Sequence, residues 1–289
     1  MVVGDWVLIS NPIEIDPLAL IPFSNREFER ISDLMYGAVG LSYNDSKKSL
    51  IQSRLAPRIQ KLGLQSFSDY IPLLEDEFEV AEFQMAVDLL TTNETYFFRE
   101  PQHYDLLQQE LPQMANKSSI AVWSAASSYG DEAYSTAMLL SDLQISGRVG
   151  SQWSILATDI SHRVLLSAKE AVYPQERLRA VSPERLKRYC LRGEGPSQGQ
   201  VQVQDKIRSR VQFGQLNLCR PFDAMGPFDV IFLRNVLIYF DPPTKTDVVN
   251  RVLATLKPGG LLFLGTAEGR VPCDTQLQTI IPGAFRKPL

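Results

Sequence analysis

The sequence predicts an α/β protein: a doubly wound, mainly parallel sheet that carries a small antiparallel β insertion and follows an all-α N-terminal domain. Three observations predict it. From Phe23 to Leu90 apolar residues recur at three-to-four spacing, the period of helices packed on one face. From Ser119 onward short apolar runs alternate with helical stretches, as parallel strands joined by crossover helices do. Between Cys190 and Phe213 that alternation is interrupted by turn glycines and alternating valines. The chain divides on this reading into an N-terminal extension (1–22), a helical domain (23–90), a linker that contributes to the site (91–118) and a sheet domain (119–289), with the insertion at about 190–213.

At 289 residues the chain is long enough for two domains with their own cores. A net charge of -4 argues against a general nucleic-acid binder. Cys190, Cys219 and Cys273 are far apart and odd in number, which suggests neither a disulfide framework nor a zinc site and points to a reducing cytoplasm. Met1 to Ile21 is interrupted by Asp5, Asn11, Glu14 and Asp16, so neither a signal peptide nor a membrane span is expected there. His103 and His162 fall in no triad or metal-ligand spacing, and no metal is expected.

The first helix carries Phe28, Ile31, Leu34 and Met35 behind a Ser24/Glu27 capping box, and Gly37 and Gly40 are expected to break it. A second, capped by Asn44 or Asp45, carries Leu50, Ile51, Leu55, Ile59 and Leu62 and ends at Gly63. On it Lys47, Arg54, Arg58 and Lys61 fall within a sector of about 60°. Such a ridge suits an acidic helix or is an ordinary solvated face, and Pro57 is placed to kink it. Phe67–Leu74 and Glu77–Leu90 complete the domain.

Thr91 to Glu100 places the hydroxyls and amide of Thr91, Thr92, Asn93 and Thr95 before three aromatics, Arg99 and Glu100, and Pro101 is expected to stop a helix there. The stretch is either a wrap for a small charged ligand or a linker packed on both neighbours. Strand Ser119–Ser124 then runs through Ala125–Gly130 into helix Asp131–Leu140, the arrangement by which doubly wound folds present backbone N–H groups to a ligand. Only Gly130 of a full glycine fingerprint is present, and Asp131 and Glu132 oppose a pyrophosphate, so a cationic ligand fits better than a dinucleotide.

Strand Trp153–Thr158 ends at Asp159, which is placed either to accept both hydroxyls of a ribose or to cap the helix Ser161–Ala171. Asn217–Leu218 occupy the position where such folds grip a base. Phe228–Leu233 is a strong strand, and Arg234–Asp241 extends it past the carboxyl edge of the sheet, where open sheets place their sites. A helix over Pro243–Leu256, a turn at Lys257–Gly260, a strand over Leu261–Gly265 and a hairpin of Gln278–Ile281 and Ala284–Lys287 finish the chain.

No nucleophile–base pair is evident, which favours a reaction that needs no strong base. Methyl transfer from S-adenosylmethionine to a carboxylate is one, since a glutamate (pKa about 4.3) is already ionised at neutral pH. Glu132 is then a partner for the ligand's ammonium, Asp159 for its ribose and Arg99 for a carboxylate, and Tyr239 would orient the acceptor. The rivals are a regulator that has lost turnover and a nicotinamide dehydrogenase.

Asn93-x-Thr95-x-Phe97-Phe98-Arg99, the Trp123–Ser135 turn, Asp159, Arg234-Asn235-Val236-x-Ile238-Tyr239-Phe240 and Leu256–Glu268 together resemble the CheR family of chemotaxis-receptor methyltransferases, over roughly Phe23 to the end. The resemblance implies a Rossmann-like methyltransferase sheet and methylation of glutamates on a receptor's cytoplasmic helices, giving methyl esters and S-adenosylhomocysteine. It implies cofactor contacts at Asn93, Thr95, Arg99, Glu132, Asp159, Asn217, Leu218, Leu233 and Arg234, with Arg99 and Tyr239 beside the transferred methyl. It also implies receptor contacts at Lys47, Arg54 and Arg58, a tether peptide of the receptor's C-terminus at the insertion near Gly193–Pro196, and a monomeric cytoplasmic protein. Departures from the family pattern are Ser127-Ser128-Tyr129, Asp131, Ala133 and Ala267-Glu268-Gly269. Tyr129 is expected near the cofactor's methionine end.

Overall fold

The computed structural model describes residues 21–114, 119–222, 225–270 and 272–289. The expected N-terminal extension therefore lies almost wholly outside the described residues. Four helices form the first domain: α1 (Asn25–Val39), α2 (Lys48–Lys61), α3 (Phe67–Glu75) and α4 (Val80–Leu90). Both bonds of the Ser24/Glu27 capping box are made, at 3.3 and 2.7 Å. Gly37 does not break α1. One helical glycine costs only about 1 kcal/mol, and the buried stripe of Phe28, Ile31, Met35 and Val39 outweighs it. Gly40, at φ 74°, ends the helix instead. α2 likewise runs through Pro57, held by the buried faces of Ile51, Leu55 and Ile59.

The linker is not all linker. Pro101 opens α5 (Pro101–Met114) rather than stopping a helix, since an N–H in the first turn has no intrahelical partner to lose. Then come β1 (Ile120–Ser124), α6 (Asp131–Ile145), β2 (Trp153–Asp159), α7 (His162–Glu170), β3 (Val172–Pro174), α8 (Pro183–Tyr189), β4 (Cys190–Arg192), β5 (Gln200–Val203), α9 (Asp205–Arg208) and β6 (Val211–Gln215). The chain finishes with β7 (Phe228–Leu233), α10 (Pro242–Ala254), β8 (Leu256–Leu264), β9 (Gln278–Ile281) and β10 (Ala284–Arg286).

Seven strands form the main sheet in the order β6-β2-β1-β7-β8-β10-β9, parallel except where β10 runs against β8 and β9. The chain steps outward from β1 through β2 to β6, then crosses back to β7, so the switch point lies between β1 and β7. The small sheet is β3-β5-β4, antiparallel throughout. Its composition corrects the expected insertion at both ends. β3 precedes Cys190, while Val211 and Phe213 belong to β6, paired with Ile155 and Ala157 of the main sheet. Alternating valines have the same period in either sheet, so the pattern could not assign them. Lys257–Gly260 is no turn either: β8 continues through it with a register shift opposite β7, because Gly259 N–H and Gly260 C=O pair with Lys287.

Candidate active site

A cleft of about 970 Å³, open to solvent, lies at the carboxyl edge of the sheet. β1 supplies Ala125 to Ser128 just beyond its end, β2 ends in Asp159, β6 leads into Leu216–Leu218 and β7 into Arg234–Val236. The Thr91–Arg99 strip forms one wall, and Val39 and Leu41, at the end of α1, close another.

The turn before α6 must be tight. Gly130 sits at φ 86°, and a Cβ there would lie 3.1 Å from both Ala168 Cβ and Phe213 Cζ. Asp159 is fastened beneath this turn: Ser128 N–H donates to Oδ2 at 2.8 Å and Ser161 N–H to Oδ1 at 2.9 Å. Burial pushes its carboxyl up, and those backbone donors oppose the shift. Glu132 accepts Ser124 Oγ–H at 2.6 Å and faces Arg234 Nη1 at 3.1 Å; burial raises its pKa while Arg234 opposes. Each carboxylate keeps lone pairs for a further donor. Ser127 Oγ, on the same wall, is buried and has no hydrogen-bond partner among the described residues. One buried and one largely buried acid and an orphaned hydroxyl fit a ligand that is cationic at one end and hydroxyl-bearing at the other.

The strip itself is held in an unusual backbone. Phe98 and Glu100 lie at φ 54° and 59°, either side of Arg99, and Phe98 N–H is anchored to Ser135 Oγ of α6 at 2.9 Å. Arg99 donates from Nη1 to Glu94 C=O at 3.0 Å. Glu268 takes three backbone N–H groups, from Asn235 (2.9 Å), Leu237 (2.7 Å) and Gly265 (2.7 Å), and so fixes the loop that carries Arg234 and Tyr239.

Of the residues expected to hold the cofactor or act on the methyl group, Asn93, Thr95, Arg99, Glu132, Asp159, Asn217, Leu218, Arg234 and Tyr239 all line the cleft. Leu233 does not: it is fully buried in the layer between the sheet and α10. Two of the nine are already occupied. Arg234 is 6% exposed and its guanidinium is shared among Glu132, Glu100 (3.5 Å) and the Arg99 carbonyl, so it acts as the wall's internal counter-ion. Asn217 Nδ2 donates to Ala38 C=O at 2.8 Å, and Arg220 to Gly37 C=O at 3.0 Å, capping α1 from the other domain. Sequence reasoning missed Val39 and Leu41 as walls; nothing local marks them, because the contact is between residues far apart in the chain.

Tyr129 is not at the cleft. Its ring lies 4.6 Å from the Arg177 guanidinium, and Arg177 pairs with the fully buried Asp131 at 2.8 Å and with Thr95 C=O at 3.3 Å. Tyr129 and Asp131, two departures from the family pattern, are thus partners of one arginine. Burial outweighs Arg177 and pushes the Asp131 carboxyl up to about 6. A raised folded pKa favours the native state below the unfolded value near 3.8, and this contribution is lost as pH rises through about 6. Arg177→Ala is therefore expected to cost about 3 kcal/mol at pH 8, where an ionised buried Asp131 loses its cation. The cost should shrink towards pH 5 as the carboxyl protonates; urea unfolding at the two pH values reads the difference.

The basic ridge is also partly spoken for. Arg58 pairs with Glu82, which accepts Tyr70 O–H at 2.7 Å, and Arg54 donates to the Leu90 and Thr91 carbonyls at 2.9 and 3.1 Å. Lys47 is exposed.

Residues 93–283 match the family described as CheR methyltransferase, SAM binding domain, and residues 26–91 match CheR methyltransferase, all-alpha domain. A chemotaxis protein methyltransferase of Klebsiella aerogenes is 42% identical over 249 residues, covering 86% of this chain and 84% of that protein. That of Escherichia coli is 40% identical, covering 86% of each. Chemotaxis protein methyltransferase 2 of Pseudomonas aeruginosa is 39% identical over 260 residues, covering 89% and 91%. With both domains matched in order and the cleft where the two meet, the chain belongs to the CheR methyltransferase family.

Proposed function

We propose that the protein methylates glutamate side chains on the cytoplasmic domain of chemoreceptors, using S-adenosylmethionine and releasing S-adenosylhomocysteine. The observation that carries this reading is the convergence of Glu132 and Asp159 with Arg99 and Tyr239 on one cleft at the sheet's switch point. When bound, S-adenosylmethionine supplies a methyl carbon on a cationic sulfur, and its transfer to a carboxylate cancels one charge of each sign without moving a proton. The chain therefore needs no general base. Its residues bind, align and exclude water, which favours a reaction in which charge disappears. Glu132 holds the ammonium end and Asp159 the ribose, while Arg99 and Tyr239 orient the acceptor.

For the partner, Lys47 offers an exposed charge on the helical domain, with Arg54 and Arg58 behind it, for an acidic receptor helix. β4 is an edge strand of the small sheet, so a receptor C-terminal tether peptide is suited to add there as a further strand. Gly193, which follows β4, is required by its surroundings: a Cβ would lie 2.1 Å from Ser197 C=O. The protein acts as a monomer in the cytoplasm on this reading; among the described residues no helix is long and apolar enough to cross a membrane.

The test is transfer of labelled methyl groups to receptor-containing membranes. S-adenosylhomocysteine binding without any base-labile label would instead make the protein a regulator without turnover. Asp159→Ala is expected to weaken S-adenosylhomocysteine binding by about 2 kcal/mol, roughly thirtyfold, as charge-assisted bonds to two hydroxyls are lost. Calorimetric titration measures it.

A further inference from the structure

A second arginine packs on the same cleft-lining tyrosine as Arg99. Tyr96 lines the cleft and is 37% exposed. The guanidinium carbon of Arg99 lies 5.9 Å from its ring centroid and that of Arg179 lies 5.7 Å from the same centroid. The two cations are therefore no more than about 12 Å apart. Arg179 is exposed and makes no ion pair among the described residues, although Glu176 lies one turn before it in the chain. Its position is nonetheless fixed. The turn Gln175–Leu178 that precedes it is anchored by buried Leu178 and tied to the strip at two points: Phe97 N–H donates to Arg177 C=O at 3.4 Å, and Arg177 Nη2 donates to Thr95 C=O at 3.3 Å.

Burial, packing and internal pairing thus account for Arg177 and Arg234, and leave Arg179 an aromatic-backed cation with no anionic partner among the described residues. Resting on the functional reading above, we infer that Arg179 reads a second carboxylate on the receptor helix, one turn from the glutamate being methylated. Side chains three or four residues apart on a helix are neighbours, about 5–6 Å between their Cβ atoms, and two guanidiniums no more than about 12 Å apart can reach such a pair. Two turns, about 11 Å, would sit at that limit. Tyr96 holds the two guanidiniums in register for such a pair, and Arg179 thereby sets which glutamates are presented to the methyl donor.

The test measures receptor methylation at low salt with Arg179→Ala, Arg179→Gln, Arg179→Lys and Arg179→Glu in the full chain. KM for a receptor cytoplasmic fragment should rise about threefold for alanine and glutamine, as for loss of an exposed ion pair, and about tenfold for glutamate. Lysine should keep most of the affinity, while kcat and S-adenosylhomocysteine binding stay within twofold. Replacing by glutamine the acidic residues one turn from each methylated glutamate should raise KM for the parent enzyme by the same factor and add nothing to Arg179→Ala. Unchanged KM in the glutamate variant, or a rise that the receptor substitutions do not suppress, overturns the inference. Failure of the parent protein to methylate any receptor would overturn the functional reading instead.

Discussion

Arg234→Ala is expected to lower the stability of the protein by about 3–5 kcal/mol, the usual cost of removing one partner from a buried charge cluster. The guanidinium lies between Glu132, 3.1 Å away, and Glu100, 3.5 Å away, and also donates to the Arg99 carbonyl. Without it two largely buried carboxylates share one site with no cation between them. Burial alone would push Glu100 up, but Arg234, with Thr266 and His103, holds it below the usual range. Glu132 is already raised by burial, with Arg234 the main opposing influence. In the variant both carboxyls should hold protons at higher pH, so its stability deficit should narrow as pH falls from 8 to 5. Urea unfolding across that range measures this, and Arg234→Lys, which restores charge without the forked geometry, should recover part of the loss. A deficit independent of pH would mean that packing, not charge, is what the arginine supplies.

Arg99→Ala is expected to lower kcat/KM for receptor methylation about a hundredfold, near 2.7 kcal/mol, with S-adenosylhomocysteine affinity changed by less than about threefold. Tyr239→Phe should cost about tenfold in the same direction. The reason lies in the charge balance. A cation over a carboxylate stabilises the ionised acceptor more than a transition state in which its charge is fading, so Arg99 gains nothing as an electrostatic catalyst. Its contribution is alignment, and Arg99 is pre-set for it by the bond to Glu94 C=O and by the left-handed residues on both sides. The loss should therefore appear in kcat and KM together. Single-turnover methylation and calorimetry on both variants separate transfer from binding, and undiminished turnover in the pair would remove them from the reaction.

Much of this was legible residue by residue. The Ser24/Glu27 box, the strand ending at Asp159 and the hairpin around Pro282–Gly283 are written in spacing and turn chemistry, which act between near neighbours. The cleft residues were legible in the same way, because open sheets gather their loops at one edge, and every expected one but Leu233 and Tyr129 lines it. Pro101 misled because a proline can open a helix as well as stop one, and Lys257–Gly260 because its backbone finds partners on the distant Lys287.

By itself, then, the sequence determined the helical domain, most of the order of strands and helices along the chain, and the set of polar side chains that meet at the sheet's edge. Only the tertiary structure decided what each of them is free to do. Arg234 is spent on Glu132, 102 residues away, Asn217 on the end of α1, and Arg177 on Asp131, which leaves Arg99 and Arg179 for the substrate. Periodicity reports the face on which a residue lies. The burial and charge of its neighbours, which packing alone brings together, set whether its polar group is already satisfied.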